Sequence, residues 1–335
     1  MRYPAGLNPI AITVEPNGKF VYVANWGEHT VGAYRIASSG ALQPVVGSPF
    51  PSGRWPHSVA IAPLGQYLYT SNGNSNDVSA YRIDKESGAL EPLAGSPFPA
   101  GKHPESVTLS PTGEFAYVCN GFGGDICGYR VQRETGALWP LPGSPFRSGG
   151  KPLAMAIERA GQYAYVANRR FDVWAYRIDG ASGALERLSD APFAAGRGPT
   201  AIITDPSGRF VFVANFKSDN ISGYHIDAVS GSLSGLDGSP YLSGKVPLGI
   251  ATEPSGNFLF ASHGESETIS SWRINASTGM LVEISGSQVM SGKMPCGVAT
   301  DPSGRFLYAT NWLSNDVSAY RIEQTSGVLV ALGLR

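Results

Sequence analysis

Charge is scarce in this chain and nearly balanced. Asp, Glu, Lys and Arg make up 15% of its 335 residues, and the formal net charge at pH 7 is -1. A near-neutral chain offers no electrostatic footprint for a polyanion, so nucleic acid is not expected as a partner. No apolar run approaches the ~18 residues that span a bilayer, and Met1-Arg2-Tyr3-Pro4 opens no apolar signal core. A soluble protein without a membrane span is expected, its compartment left open. Only three cysteines occur, Cys119, Cys127 and Cys296, without a disulfide-framework or metal-type spacing, which makes them candidate packing residues. The five histidines, His29, His57, His103, His225 and His263, include no pair at the short spacings of a zinc site. A metal would need ligands gathered from distant parts of the chain, so neither a metal nor another cofactor is expected.

Glycine and proline are plentiful, 42 and 25 residues, which suits many tight turns. A proline-led unit recurs at Pro9, Pro56, Pro104, Pro152, Pro199, Pro247 and Pro295, spaced by 47 or 48 residues. The stretch from Pro295 to Arg335, continued from Met1 to Pro9, is one further repeat long. Such a period predicts one domain over residues 1–335, a closed ring of seven units starting near 7, 54, 102, 150, 197, 245 and 293.

Each unit reads as antiparallel strands. In the first, Ile10 to Val14 and Phe20 to Asn25 flank Glu15-Pro16-Asn17-Gly18, an acid-Pro-x-Gly pattern that fits a type I turn and returns at Asp205, Glu253 and Asp301. Turn chemistry accounts for these acids. Tyr34-Arg35-Ile36, echoed by Tyr81-Arg82-Ile83 and its equivalents, alternates as a third strand, and Ser39-Gly40-Ala41-Leu42 leads into a fourth. Four short strands in seven units predict an all-β, seven-bladed propeller, since no blade alone can bury both its faces. Tyr3-Pro4-Ala5-Gly6 is similar to the linker Phe98-Pro99-Ala100-Gly101, as though the ring were cut between blades 7 and 1. No strand is therefore expected to be exchanged between the termini.

The strand end Tyr-Val-Ala-Asn, at Tyr22 to Asn25 and Tyr165 to Asn168, resembles the YVTN-type propeller repeat. With the Tyr-Arg-Ile strand and the Ser/Thr-Gly-x-Leu turn, the whole chain resembles the seven-bladed lactonase family that includes 6-phosphogluconolactonase and the fungal carboxymuconate-lactonizing enzymes. The resemblance implies a propeller that hydrolyses a lactone. The family's His-Ser pair after an anchor proline is matched by Pro56-His57-Ser58. In the next blade the family has Gly-Pro-Arg-His and an Asn-Glu, where this chain has Pro104-Glu105-Ser106 and Asn120-Gly121.

The start of the first strand and the end of the second share one end of every blade, so the linkers before the anchor prolines and the loops after Asn25 and its equivalents form one face. Arg54, Lys102, Lys151, Arg197, Lys245 and Lys293 stand ahead of six anchor prolines. They form either a field for a small anion or a solvated linker. Directly after the prolines come Ile10, His57, Glu105, Leu153, Thr200, Leu248 and Cys296. Of these, His57 and Glu105 can move protons near neutral pH and lie on adjacent blades. They are the catalytic candidates, with a polar channel lining as the alternative. His263 replaces the strand-ending Asn of the other blades, either as a structural substitute or as a site residue, and Arg169 and Arg170 lie in a loop shortened by one residue, either to fork to a phosphate or to rest in solvent. Trp26, Trp55 and Trp312 belong to blades 1, 2 and 7, neighbours through ring closure, and suit either stacking on a sugar face or a protein interface. The expectation is a monomer binding a small anionic, sugar-like or lactone ligand at the channel mouth, with metal-free lactone hydrolysis as its chemistry. The alternative is a non-enzymatic module for a protein or glycan.

Overall fold

The computed structural model of the protein describes residues 1–189 and 192–333. Its β-strands form seven sheets, each built on one repeat, and the last also takes in residues 2–4. In blade 1 the strands Pro9–Val14, Phe20–Asn25 and Thr30–Ile36 pair antiparallel in chain order. The fourth strand is broken into two pieces, Leu42–Pro44 and Phe50–Pro51, and both pair with the third strand, one at each end.

Burial follows from the stacking of sheets. Every residue of the second strand is buried in all seven blades, because that strand has neighbouring blades on both faces. The innermost strands are buried at their first and fourth residues and half-buried at the others. The turn acids are satisfied locally: the Asp205 carboxylate accepts from the backbone N–H groups of Ser207, Arg209 and Phe210 at 3.0, 2.9 and 2.7 Å.

Neighbouring blades are tied by a repeated contact. Tyr22, Tyr69, Tyr117, Tyr165 and Tyr308 each donate a hydroxyl hydrogen bond to the turn-glycine carbonyl of the next blade, at Gly88, Gly136, Gly183, Gly231 and Gly40. Only glycine fits that turn: Gly88 has φ of +78°, and a Cβ there would lie 2.4 Å from the Phe20 ring.

Ring closure differs from the sequence expectation. Arg2–Pro4 pairs with the third strand of blade 7, Tyr3 opposite Val317, in the place that Phe98–Pro99 takes in blade 2. A strand is thus contributed by one end of the chain to the last blade. The cause lies in the linker itself: each Phe-Pro segment closes the edge of its own blade before crossing to the next, so the copy at residues 2–4 has blade 7 as its partner. Tyr34 of blade 1 donates to the Pro4 carbonyl at 2.8 Å, as Tyr81 does to that of Pro51 at 2.6 Å. Asn8 completes the seam, its backbone N–H donating to Asn315 Oδ1 and its side chain to the Trp312 carbonyl.

Candidate active site

Two backbone devices aim side chains at the mouth where the linkers meet the second-strand loops. The first is a bulge. Pro56 pairs with Asn72 and Ser58 with Ser71, so His57 is the extra residue and leaves the ladder; Glu105 is the extra residue between Pro104 and Ser106. The second is a left-handed residue before the anchor proline. Trp55 and His103 have φ of 57° and 56°, a conformation that costs about 1–3 kcal/mol for a non-glycine residue. The preceding blade holds each in place: the backbone N–H of His103 donates to Asn76 Oδ1 at 2.8 Å and that of Trp55 to His29 Nδ1 at 3.3 Å.

The side chains so placed converge. His57 Nδ1 lies 3.3 Å from Glu105 Oε2, and His103 Nδ1 lies 3.2 Å from Glu105 Oε1. The separation between His103 and Glu105 is that of an ion pair, but the pair lacks hydrogen-bond alignment, and the buried His103 Nδ1 has no hydrogen-bond partner. Trp26 Nε1–H donates to His57 Nε2 at 3.3 Å, which leaves the proton of the neutral ring on Nδ1. Burial, and next the charge of His103, push the His57 imidazole down to about 4. Burial raises the Glu105 carboxyl, opposed by the charges of His103 and Arg169. Gly73 and Gly121 leave room for the pair: a Cβ at either would lie 2.6 Å from His57 Cδ2 or 2.8 Å from Glu105 Oε1.

Aromatic rings border the triangle. Trp26 stacks on Trp55 with centroids 4.9 Å apart and planes 16° apart, and meets Trp312 at 5.2 Å. The His103 ring lies 4.1 Å from that of Phe122, over which Lys151 Nζ sits at 5.5 Å. The sequence named His57, Glu105 and the three tryptophans, and the structure brings all five together. His103 was missed as a site residue; it occupies the slot before the anchor proline, as Trp55 does in blade 2.

The other candidates are distributed differently. Arg54, Lys102, Lys151, Arg169, Arg170, Arg197, Lys245 and Lys293 are all exposed. The backbone N–H groups of Arg54, Arg197, Lys245 and Lys293 donate to Ser75, Ser218, Ser266 and Ser314 hydroxyls, which fixes their stations on the rim. His263 has no exposed surface, its Nε2 3.1 Å from Ser270 Oγ, so it takes the buried place of the Asn it replaces. Burial pushes the Cys296 thiol up to about 12, which disqualifies it as a thiolate nucleophile at neutral pH. Clefts of about 630 and 500 Å³ lie at the opposite end, lined by the first-strand turns around Pro111–Glu114. They are distant from the triangle, and convergent chemistry locates the candidate site better than cleft size does.

Residues 4–102, 98–248 and 243–334 match the family model described as a lactonase, 7-bladed beta-propeller. The chain belongs to the lactonase family. No curated protein is detectably similar to this lactonase-family chain in sequence. Among solved structures it is similar to a candidate 6-phosphogluconolactonase from Bacteroides uniformis, with a TM-score of 0.77 and 19% identity over 97% of this chain and 95% of that one. It is also similar to the periplasmic gluconolactonase of Pseudomonas aeruginosa, at 0.71 and 21% over 86% of each. The hydrazine synthase of Kuenenia stuttgartiensis follows at 0.70 and 20%, over 94% of this chain and 95% of that one. At these identities the likeness is one of fold, and fold alone does not fix the chemistry.

Proposed function

We propose that this lactonase-family propeller binds a small anionic, sugar-like lactone at the mouth bordered by Trp26, Trp55 and Trp312 and hydrolyses it. The observation that carries the reading is the convergence of Glu105 with two imidazoles from adjacent blades, beside a wall of indoles. The attacking water is held at the triangle. Its oxygen adds to the lactone carbonyl carbon while its proton passes to a triangle group; the bond from that carbon to the ring oxygen then breaks, and the ring oxygen takes up a proton to give an open-chain hydroxy acid. The indoles receive the apolar sugar face, and Arg169 and Lys151 steady a carboxylate or phosphate. Where the resembled family has Asn-Glu, this chain has Asn120-Gly121, and Glu105 brings a carboxylate to the space above Gly121 from the neighbouring strand.

The test is proton release from a panel of lactones that includes 6-phosphogluconolactone. Turnover by the parent should fall at least ~100-fold in the His57→Ala, Glu105→Ala double variant, and a variant as active as the parent would refute these roles. A second reading, a non-enzymatic module for a protein or glycan, is favoured by the exposed Leu7, Phe122, Phe171 and Leu313 on the same face. Absence of turnover across the whole panel would select it.

A further inference from the structure

We infer that His57, His103 and Glu105 form a binding site for a divalent transition-metal ion, with zinc the best fit. The chemistry of the donors is the first reason. Two imidazoles and one carboxylate are the protein ligands of zinc sites that keep a fourth position open, and imidazole disfavours magnesium and calcium.

Distance is the second. Donors bound tetrahedrally at about 2.0–2.1 Å stand roughly 3.3 Å apart, and the two nitrogen-to-oxygen separations here are 3.3 and 3.2 Å. One ligand atom from each of the three residues lies within 4.8 Å of the other two. An unpartnered buried atom is the third. His103 Nδ1 stands 3.2 Å from Glu105 Oε1 and makes no aligned hydrogen bond.

The support is already rigid. Bulges aim His57 and Glu105, Asn76 fixes the backbone of His103, and Phe122 covers its ring. Three ligands leave a fourth position for water or an anionic oxygen. The expectation of no metal rested on the lack of a short-spaced histidine pair; here the fold gathers the ligands from blades 2 and 3. Trp26 is the built-in competitor, because its indole N–H on His57 Nε2 keeps the ring proton on Nδ1, where the ion would bind.

Binding is read without reference to turnover. After dialysis against chelator, the full chain is titrated with Zn²⁺ by calorimetry and with Co²⁺ by visible absorption. The expected result is one ion per chain with a tetrahedral Co²⁺ spectrum, weakened at least 100-fold in Glu105→Gln and in His103→Ala. The exposed Glu265→Gln should leave affinity unchanged, and Trp26→Phe should raise it roughly tenfold. Thermal unfolding of each metal-free variant checks that it is folded, and Trp26→Phe keeps all three ligands. Zinc bound no more tightly by the parent than by a folded Glu105→Gln or His103→Ala overturns the inference. The link to lactone hydrolysis rests on the function proposed above, and the two fail separately. Turnover in a parent that binds no zinc removes the metal and leaves the hydrolase, whereas stoichiometric binding without turnover of any lactone does the reverse.

Discussion

At the scale of single residues, the repeat makes each departure legible as a difference between otherwise equal positions. His263 stands where six blades have Asn, and burial holds its imidazole down to about 4 from an ordinary 6.5. Between those values the unfolded chain binds a proton that the folded one refuses. The contribution of this residue is therefore complete above pH 6.5 and is lost as pH falls toward 4, by roughly 3 kcal/mol. His263→Asn, which restores the Asn of the other blades, should flatten that acid limb. Urea unfolding of both proteins at pH 7 and pH 4.5 checks it, and equal losses in the two would count against it. His57 and Glu105 were readable because they occupy the same slot of consecutive repeats. His103 was not, since the slot before the proline carries Asn8, Lys151, Gly198, Val246 and Met294 elsewhere, and nothing in that series announces that the backbone there turns left-handed and swings the side chain to the mouth. For His263 the sequence left a structural and a site role both open, for a related reason. A side chain at a strand end can point in or out, and only the packing against Gly244 shows that it points in.

At the scale of the blade, turn chemistry and strand alternation were legible from the sequence, and the acids at residues 15, 205, 253 and 301 serve the turns as their pattern implied. The break in the fourth strand was not, because its two pieces are only three and two residues long, too short for alternation to register. The tyrosine-to-glycine tie between blades has natural controls, since blades 5 and 6 carry Phe212 and Phe260 where the others carry tyrosine. Tyr69→Phe should cost about 1 kcal/mol, the worth of one buried hydrogen bond whose acceptor at Gly136 is left unpaired. A denaturation midpoint unmoved by that substitution would show that the hydroxyl contributes nothing to blade stacking.

At the scale of the whole molecule, the 47- and 48-residue period carried the ring, the blade count and the family, because repetition is a property of the entire chain and survives local variation. What it left open was which side of the seam residues 2–4 would join, a question settled by pairing geometry. Tyr3 and Ala5 pack against the cluster that contains Val317 and Ala319. Removing residues 1–5 should therefore lower stability by on the order of 3 kcal/mol, from lost edge hydrogen bonds and exposed apolar surface. It should also leave Asp316–Ser318 as an open edge prone to association. Calorimetry and light scattering of the truncated chain test both, and a melting temperature equal to the parent's would contradict the closure described here.

That seam has a temporal meaning. The segment pairing with blade 7 leaves the ribosome before any blade, yet its partner is Val317, made only after six blades have been completed. Six blades can stack as they emerge, but the segment ahead of them must wait unpaired until blade 7 has been made, so the nascent ring stays open while six blades form and closes only with the seventh.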